Sequence, residues 1–290
     1  MAEPPTEPPT EAPAEPATER QPEQPRRPRR GDVAHSPRTA VVWEVVQRLA
    51  ADLAADLAEP AIDPAARRPG ALRVLDVGGG TGGLAVSLAG LGHQVTVADP
   101  SPDALAALER RAAESGVQHL VEAVQADAST LEAFVEPAGV DLVCCHGVLE
   151  YVDDPAAALA AVARVVRPGG LVSLLVAQRS AVVIARALAG RFAEAAHALD
   201  DPDGRWGADD PLPRRFDEST LVPLVAAAGL RVRQVHGVRI FSDLVPAALV
   251  DGDAARTALL DLERRAGDHP DHPVLGALAT QLHVVAERPA

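Results

Sequence analysis

One stretch limits the folds open to this chain: Arg73-Val74-Leu75-Asp76-Val77-Gly78-Gly79-Gly80-Thr81-Gly82-Gly83. An apolar run carries a single carboxylate, Asp76. Five glycines then fall within six residues, broken only by Thr81. After them Leu84, Ala85, Leu88 and Ala89 recur at helical spacing. The pattern predicts strand, tight turn and helix. With no side chains on the turn, a ligand can lie directly on the backbone, and the helix aims its first N–H groups into the same space. Gly78, Gly79, Gly80 and Gly82 are therefore candidate ligand-bed residues. Asp76 suits a ligand carrying an ammonium group, or it orients the loop by accepting from its backbone. A pyrophosphate would be repelled by it.

The rest of the chain repeats the rhythm. Gly92 to Asp99 reads as a second buried strand, Leu120 to Val124 as a third, Val140 to His146 as a fourth and Leu171 to Val176 as a fifth. Leu230 to Val238 and Leu282 to Ala286 close the series. Helical patterns lie between them: one opens at Pro102, one runs from Pro155 to the Arg167-Pro168-Gly169-Gly170 stop, one lies near 182–188, one contains Leu221 and Val225, and others fall over 254–266 and 273–280. Continuous apolar strands alternating with helices predict an α/β fold, a parallel sheet covered on both faces. Ligands of such sheets bind at the C-terminal ends of the strands. Asp99 ends the second strand, one crossover after the glycines, where an acidic residue takes ribose hydroxyls. Asp127 follows the third strand and His146 ends the fourth. Each also has a structural explanation, a turn aspartate for the first and a packed histidine for the second.

Composition bounds the function. Aromatic residues make up 2% of the 290, which disfavours stacking-based RNA or single-strand modules. Net charge is −14 and every one of the 27 basic residues is arginine, so non-specific nucleic-acid binding is disfavoured while a local basic patch stays open. Residues 164–239 do hold 11 Arg against 8 acidic residues. Cys144 and Cys145 are adjacent and point to opposite faces of a strand, so they read as packing residues and not as a disulfide. No segment looks like a signal peptide or a membrane span, which makes a cytoplasmic protein the expectation. No metal-ligand pattern stands out. Residues 1–34 form the expected disordered tail: nine prolines, six glutamates and five arginines occur in the first 31 positions. A helix then starts after Ser36-Pro37 and carries Arg38 in its first turn. Residues 35–290 form the expected folded domain, with 178–215 as a substrate-facing insertion or lid.

Taken together, Leu75-Asp76-Val77-Gly78-Gly79-Gly80-Thr81-Gly82, Asp99, Asp127 and the Arg167-Pro168-Gly169-Gly170 turn resemble the motif series of the class I methyltransferases that use S-adenosylmethionine. The resemblance implies a Rossmann-like, mostly parallel seven-stranded sheet whose last strand is antiparallel. Further segments resemble the bacterial tRNA 5-carboxymethoxyuridine methyltransferases, which esterify the acid of a wobble uridine. These are Arg38 to Trp43, Gly92 to Val95, Cys145 to Tyr151, Ala189 to Phe192, Gly237 to Asp243 and His283 to Pro289. The resemblance implies cofactor contacts from Arg38, Gly78, Gly79, Asp99, Asp127, Ala128 and His146. Tyr151, Arg191 and Arg239 become candidates for the acceptor side. One departure stands out: those relatives carry a lysine-rich run after the segment matching Gly190 to Phe192, whereas this chain reads Asp200-Asp201-Pro202-Asp203. A small-molecule acceptor, or a cofactor-binding protein without turnover, therefore stays beside tRNA as an alternative. A carboxylate acceptor is ionised at neutral pH and needs no catalytic base; an amine or hydroxyl would make His146 the first candidate.

Overall fold

The computed structural model describes Met1, residues 37–57 and residues 70–290. The expected tail, the Ser36 cap and the side chain of Arg38 lie outside the described residues. Seven strands form one sheet in the order β3-β2-β1-β4-β5-β7-β6. They are β1 (Arg73–Val77), β2 (Gln94–Asp99), β3 (Val121–Gln125), β4 (Val140–His146), β5 (Val166–Ala177), β6 (Arg231–Val238) and β7 (Gln281–Glu287). Strands β3, β2, β1, β4 and β5 are mutually parallel, and β7 runs antiparallel to both its neighbours, β5 and β6. The Rossmann-like, mostly parallel sheet with an antiparallel last strand is thus the one expected.

Strand β4 shows why the sheet is central. Its first six residues are buried, and alternate side chains serve opposite faces. Val143 and Cys145 enter the layer under α4 (Pro155–Val165) and α7 (Glu218–Ala227). Leu142 and Cys144 enter the layer under α1 (Pro37–Asp56), α2 (Gly83–Gly90) and α3 (Pro102–Glu114). Both cysteines are free and buried, as packing residues. Helix starts follow local chemistry. Ser101 Oγ accepts from Ala104 N–H at the head of α3, and Asp154 Oδ1 accepts from Ala156 and Ala157 N–H at the head of α4. Each such cap is worth about 1 kcal/mol.

The C-terminal third differs most from the expectation. Residues 178–215 contain two packed helices, α5 (Arg179–Leu188) and α6 (Phe192–Asp200), where the sequence suggested one, near 182–188. The two large apolar residues of α6, Phe192 and Leu199, are both exposed, so no buried apolar stripe marks it; it is held instead by Ala195 and Ala198, both buried. Helix α4 ends at Val165, two residues before the arginine of the expected stop, because Val166 already pairs with Val140 in the sheet. The expected helix over 273–280 shrinks to α9 (Val274–Ala277), behind α8 (Asp253–Gly267). No described helix is long and apolar enough to cross a membrane.

Candidate functional site

The strand order reverses at β1, whose neighbours are β2 on one side and β4 on the other. Crossovers leave in opposite directions there, which opens a crevice at the C-terminal strand ends. A cavity of about 570 Å³ occupies that place, between the ends of β1 and β2, the turn after β3 and the loop after β4.

From the glycine loop Gly78 reaches the cavity lining, whereas Gly79, Gly80 and Gly82 do not. Gly78 N–H donates to Ala98 O at 2.7 Å, tying the turn to β2. Two glycines there are irreplaceable on geometry. A Cβ on Gly79 would lie 2.5 Å from Asp76 Oδ2, and one on Gly82 would lie 1.9 Å from Leu108 Cδ1, at a φ of 73°. Gly82 thus serves the packing of α3 on the start of α2, not the cavity wall.

Asp99 is the best-organised group. Its Oδ2 accepts from Gly80 N–H at 2.9 Å and its Oδ1 from Ser101 N–H at 2.9 Å, so the carboxylate is held in one orientation with lone pairs to spare. Asp76, one strand over, is buried, and its Oδ2 has no hydrogen-bond partner. Burial first, and the Asp99 charge second, push its carboxyl up to about 7. Asp127 Oδ1 accepts from Ser129 N–H and Oγ–H, and these bonds hold its carboxyl below the usual range.

Gly78, Asp99, Asp127, Ala128 and Tyr151 all line the cavity, with Ala126, Val148 and Val152 giving it an apolar wall. Tyr151 stands exposed at the rim. His146 does not line it. Gly147, the next residue, does, while the imidazole turns to the α1 face, where Nε2 meets Ser173 Oγ at 2.8 Å. Arg191 and Arg239 are not brought to the cavity either. Arg191 is exposed and pairs with Glu194 at 3.2 Å. Arg239 follows β6 at the same edge of the sheet, three strand spacings or about 14 Å from β4. Its Nη2 meets Asp243 Oδ2 at 2.5 Å, its backbone adopts a φ of 65°, and its buried Nε has no partner. A non-glycine residue held there is strained.

Other residues shape the site, and two of them, Arg214 and Arg215, escaped the sequence reading. Arg214 donates to the carbonyls of Leu149 and Val152, stapling the loop that carries Tyr151. Arg215 beside it makes a buried two-pronged pair with Asp210, at 2.7 and 3.1 Å. Glu150 Oε1 accepts from Ala177 N–H at 2.7 Å, locking the same loop to β5. The adjacent arginines after an acidic run were the available signal; the carbonyl targets of Arg214 lie more than sixty residues away.

Chemically, the cavity offers a fixed carboxylate able to take a vicinal diol and an apolar slot. Behind Gly79, outside the cavity lining, the buried Asp76 Oδ2 has no donor. Asp153 and Asp154 add further acid to the cavity wall. This set fits a cationic nucleoside such as S-adenosylmethionine and repels a pyrophosphate. Among the described residues no group of side chains is arranged to hold a metal ion.

Comparison with known proteins points the same way. A family model described as a methyltransferase domain matches residues 75–174. The chain is 34% identical over 182 residues to the ubiquinone biosynthesis O-methyltransferase of Burkholderia thailandensis, covering 61% of this chain and 71% of that protein. It is 29% identical over 252 residues to the tRNA 5-carboxymethoxyuridine methyltransferase of Escherichia coli (strain K12), covering 87% and 88%. Among solved structures, an S-adenosylmethionine-dependent methyltransferase from Mesorhizobium loti shares the fold with a TM-score of 0.51 at 22% identity, over 75% of this chain and 91% of that one.

Proposed function

Since the chain belongs to the methyltransferases that use S-adenosylmethionine, we propose that its acceptor is the carboxylate of 5-carboxymethoxyuridine at the wobble position of tRNA. One observation carries this choice. The alignment with the tRNA enzyme covers 252 of 290 residues, so it runs through 178–243, the part that distinguishes acceptors in this reading. The ubiquinone-type relatives align over 182 residues or 100.

S-adenosylmethionine supplies a methyl group on a sulfonium and departs as a neutral thioether. In the proposed arrangement Asp99 accepts from the two ribose hydroxyls, its orientation set in advance by Gly80 and Ser101 N–H. Asp127 and Ala128 would hold the adenine, with Ala126, Val148 and Val152 supplying the apolar wall for it. Asp76 gives the aminoacyl end a buried anion, and Gly79 keeps the approach to it open. Arg38 pairs with the carboxylate of that end. His146 stands at its margin. The acceptor carboxylate is already ionised, so no residue is assigned as base. The protein's work is to align acceptor and methyl and to strip water from both. Arg239, with an unpartnered Nε, and Arg191 are the groups proposed to hold the acidic acceptor, with Tyr151 closing the rim. A tRNA substrate goes with a cytoplasmic site of action.

The test is the nucleoside profile of tRNA from cells with and without the gene, and of that tRNA after incubation with pure protein and cofactor. Loss of the methyl ester in the deletion and its restoration in vitro are expected; an unchanged ester in the deletion rejects the acceptor. A hydroxyl-bearing small molecule is the second reading, favoured by 34% identity to a ubiquinone O-methyltransferase and by the acidic residues 200–203. Methylation of a phenolic acceptor with no activity on tRNA would select it.

A further inference from the structure

Four side chains on one face of the sheet form a continuous hydrogen-bonded row that methyl transfer to a carboxylate leaves unused. His146 ends β4, Ser173 lies in β5, His283 in β7 and His236 in β6. His146 Nε2 meets Ser173 Oγ at 2.8 Å, Ser173 Oγ meets His283 Nε2 at 2.7 Å, and His283 Nδ1 meets His236 Nε2 at 2.9 Å. Sheet register builds the row. Leu175 stands opposite both His146 and His283, and His283 stands opposite His236, so all face the same way. Ser173, two residues before Leu175, shares that face.

Counting hydrogens restricts what the row can do. Burial pushes the His146 pKa down to about 4 and lowers those of His236 and His283, so each ring is neutral and owns one N–H. With the serine O–H there are four hydrogens for three bonds. If both rings donated to Ser173, its fully buried hydroxyl hydrogen would have no acceptor, which is costly. Two one-way arrangements remain. In the first, His146 Nε2–H donates to Ser173, Ser173 to His283 Nε2, and His283 Nδ1–H to His236 Nε2. The fourth hydrogen then sits on His236 Nδ1, and His146 Nδ1 is bare. The second arrangement is the reverse, with the hydrogen on His146 Nδ1.

The far end selects between them. His236 borders the cleft between α1 and α8, which Asp268 also lines, and its Nδ1 is buried without a partner. The other acids of that cleft are engaged: Glu44 holds Arg264 at 2.8 Å, and Glu263 accepts from the N–H groups of 240–242. The Asp268 charge therefore favours a hydrogen on His236 Nδ1. We propose that Ser173, His283 and His236 are positioning residues acting through His146: they fix it as the Nε2–H tautomer, leaving its bare Nδ1 as a hydrogen-bond acceptor at the strand edge where methyl transfer occurs. His146 Nδ1 has no partner among the described residues. The assignment of the edge rests on the function proposed above; the tautomer does not.

The test reads the tautomer without turnover, so it fails independently of the acceptor assignment. Long-range proton–nitrogen spectra of the uniformly ¹⁵N-labelled full chain distinguish Nε2–H from Nδ1–H. Wild type should show Nε2–H at His146. His236→Phe removes the last acceptor, three hydrogen bonds away, and should convert His146 to Nδ1–H. His236→Gln, whose carbonyl oxygen can still accept, should preserve Nε2–H. kcat/KM should fall about tenfold in His236→Phe, the scale of one hydrogen bond, and recover in His236→Gln. Should His236→Phe not fold, Ser173→Ala, which cuts the row with less lost volume, should give a mixture of tautomers at His146. An Nδ1–H signature in wild type, or a His146 tautomer indifferent to these substitutions, overturns the proposal.

Discussion

Asp76 carries opposite consequences for stability and for binding. Its carboxyl is raised to about 7 from 3.8, chiefly by burial. The native state therefore keeps a proton that the unfolded chain loses between about pH 4 and 7. Across that window the native state loses stability as pH rises, and above it the penalty is complete. Asp76→Asn removes the charge and keeps the shape. We expect a higher Tm for the ligand-free variant at pH 8 than for wild type, with a smaller gain at pH 5. Calorimetric titration should show cofactor affinity at least tenfold weaker, since an ammonium group then meets no anion. An equal Tm at pH 8 would count against a buried carboxylate in this form. Asp99 differs in being already satisfied on both oxygens by backbone N–H. Asp99→Ala should lose two charge-assisted bonds to a diol, about 3 kcal/mol or roughly a hundredfold in affinity. Affinity for the cofactor within threefold of wild type would remove the ribose role.

The element that most needs support is the loop from Gly147 to Asp154, which carries the cavity's outer wall. It contains no regular structure of its own. Glu150 ties it to β5, and Arg214 ties its carbonyls to the segment between α6 and α7. That segment is in turn held by the Arg215–Asp210 pair, with side chains at 7% and 0% exposure. Removing one partner of so buried a pair costs about 3–5 kcal/mol. Asp210→Ala should therefore lower global stability and loosen the wall together. Arg214→Ala is milder, because its partners are neutral carbonyls and no charge is left buried and unpaired. It should raise the KM for cofactor several-fold while leaving Tm within about 2 °C, the scale of a fraction of a kcal/mol in a domain this size. Hydrogen exchange localised to 147–154 would report the loosening; protection equal to wild type there would show that the staple is incidental.

At the scale of the molecule, three neutral histidines, His236 and His283 buried and His146 half-buried, cross the sheet. Their lowered pKa values mean that the unfolded chain takes up protons below about 6.5 that the native chain refuses. Stability is therefore complete above that pH and is lost as pH falls toward about 4, the value for His146. Asp76 works in the opposite direction over nearly the same window, but it is one group against three. The net expectation is a urea midpoint that falls between pH 7 and pH 5, with a shallower fall in His236→Phe. A midpoint that rises on acidification would mean that the histidines are charged in the native state.

The order of strands and helices, the glycine turn and the acidic strand ends were legible in the sequence, because each is written within a few residues: period, caps, and a turn that tolerates no side chain. Asp99 could be placed from its distance to the glycines alone. Helix α6 could not be found this way, since its hold on the fold is two buried alanines rather than an apolar stripe. His146 was singled out for its position at a strand end, yet which way its ring turns depends on Ser173, 27 residues on, and through it on His283 and His236. Arg239 was singled out as an acceptor-side candidate, whereas Arg214 counted only as one arginine of a local basic excess. Arg214 staples a loop, and Arg239 is held strained at the sheet edge. Local sequence determined the backbone path because strands, turns and caps are short-range chemistry. The tertiary structure alone decided which polar groups meet across the sheet, because antiparallel β7 brings together residues more than a hundred positions apart.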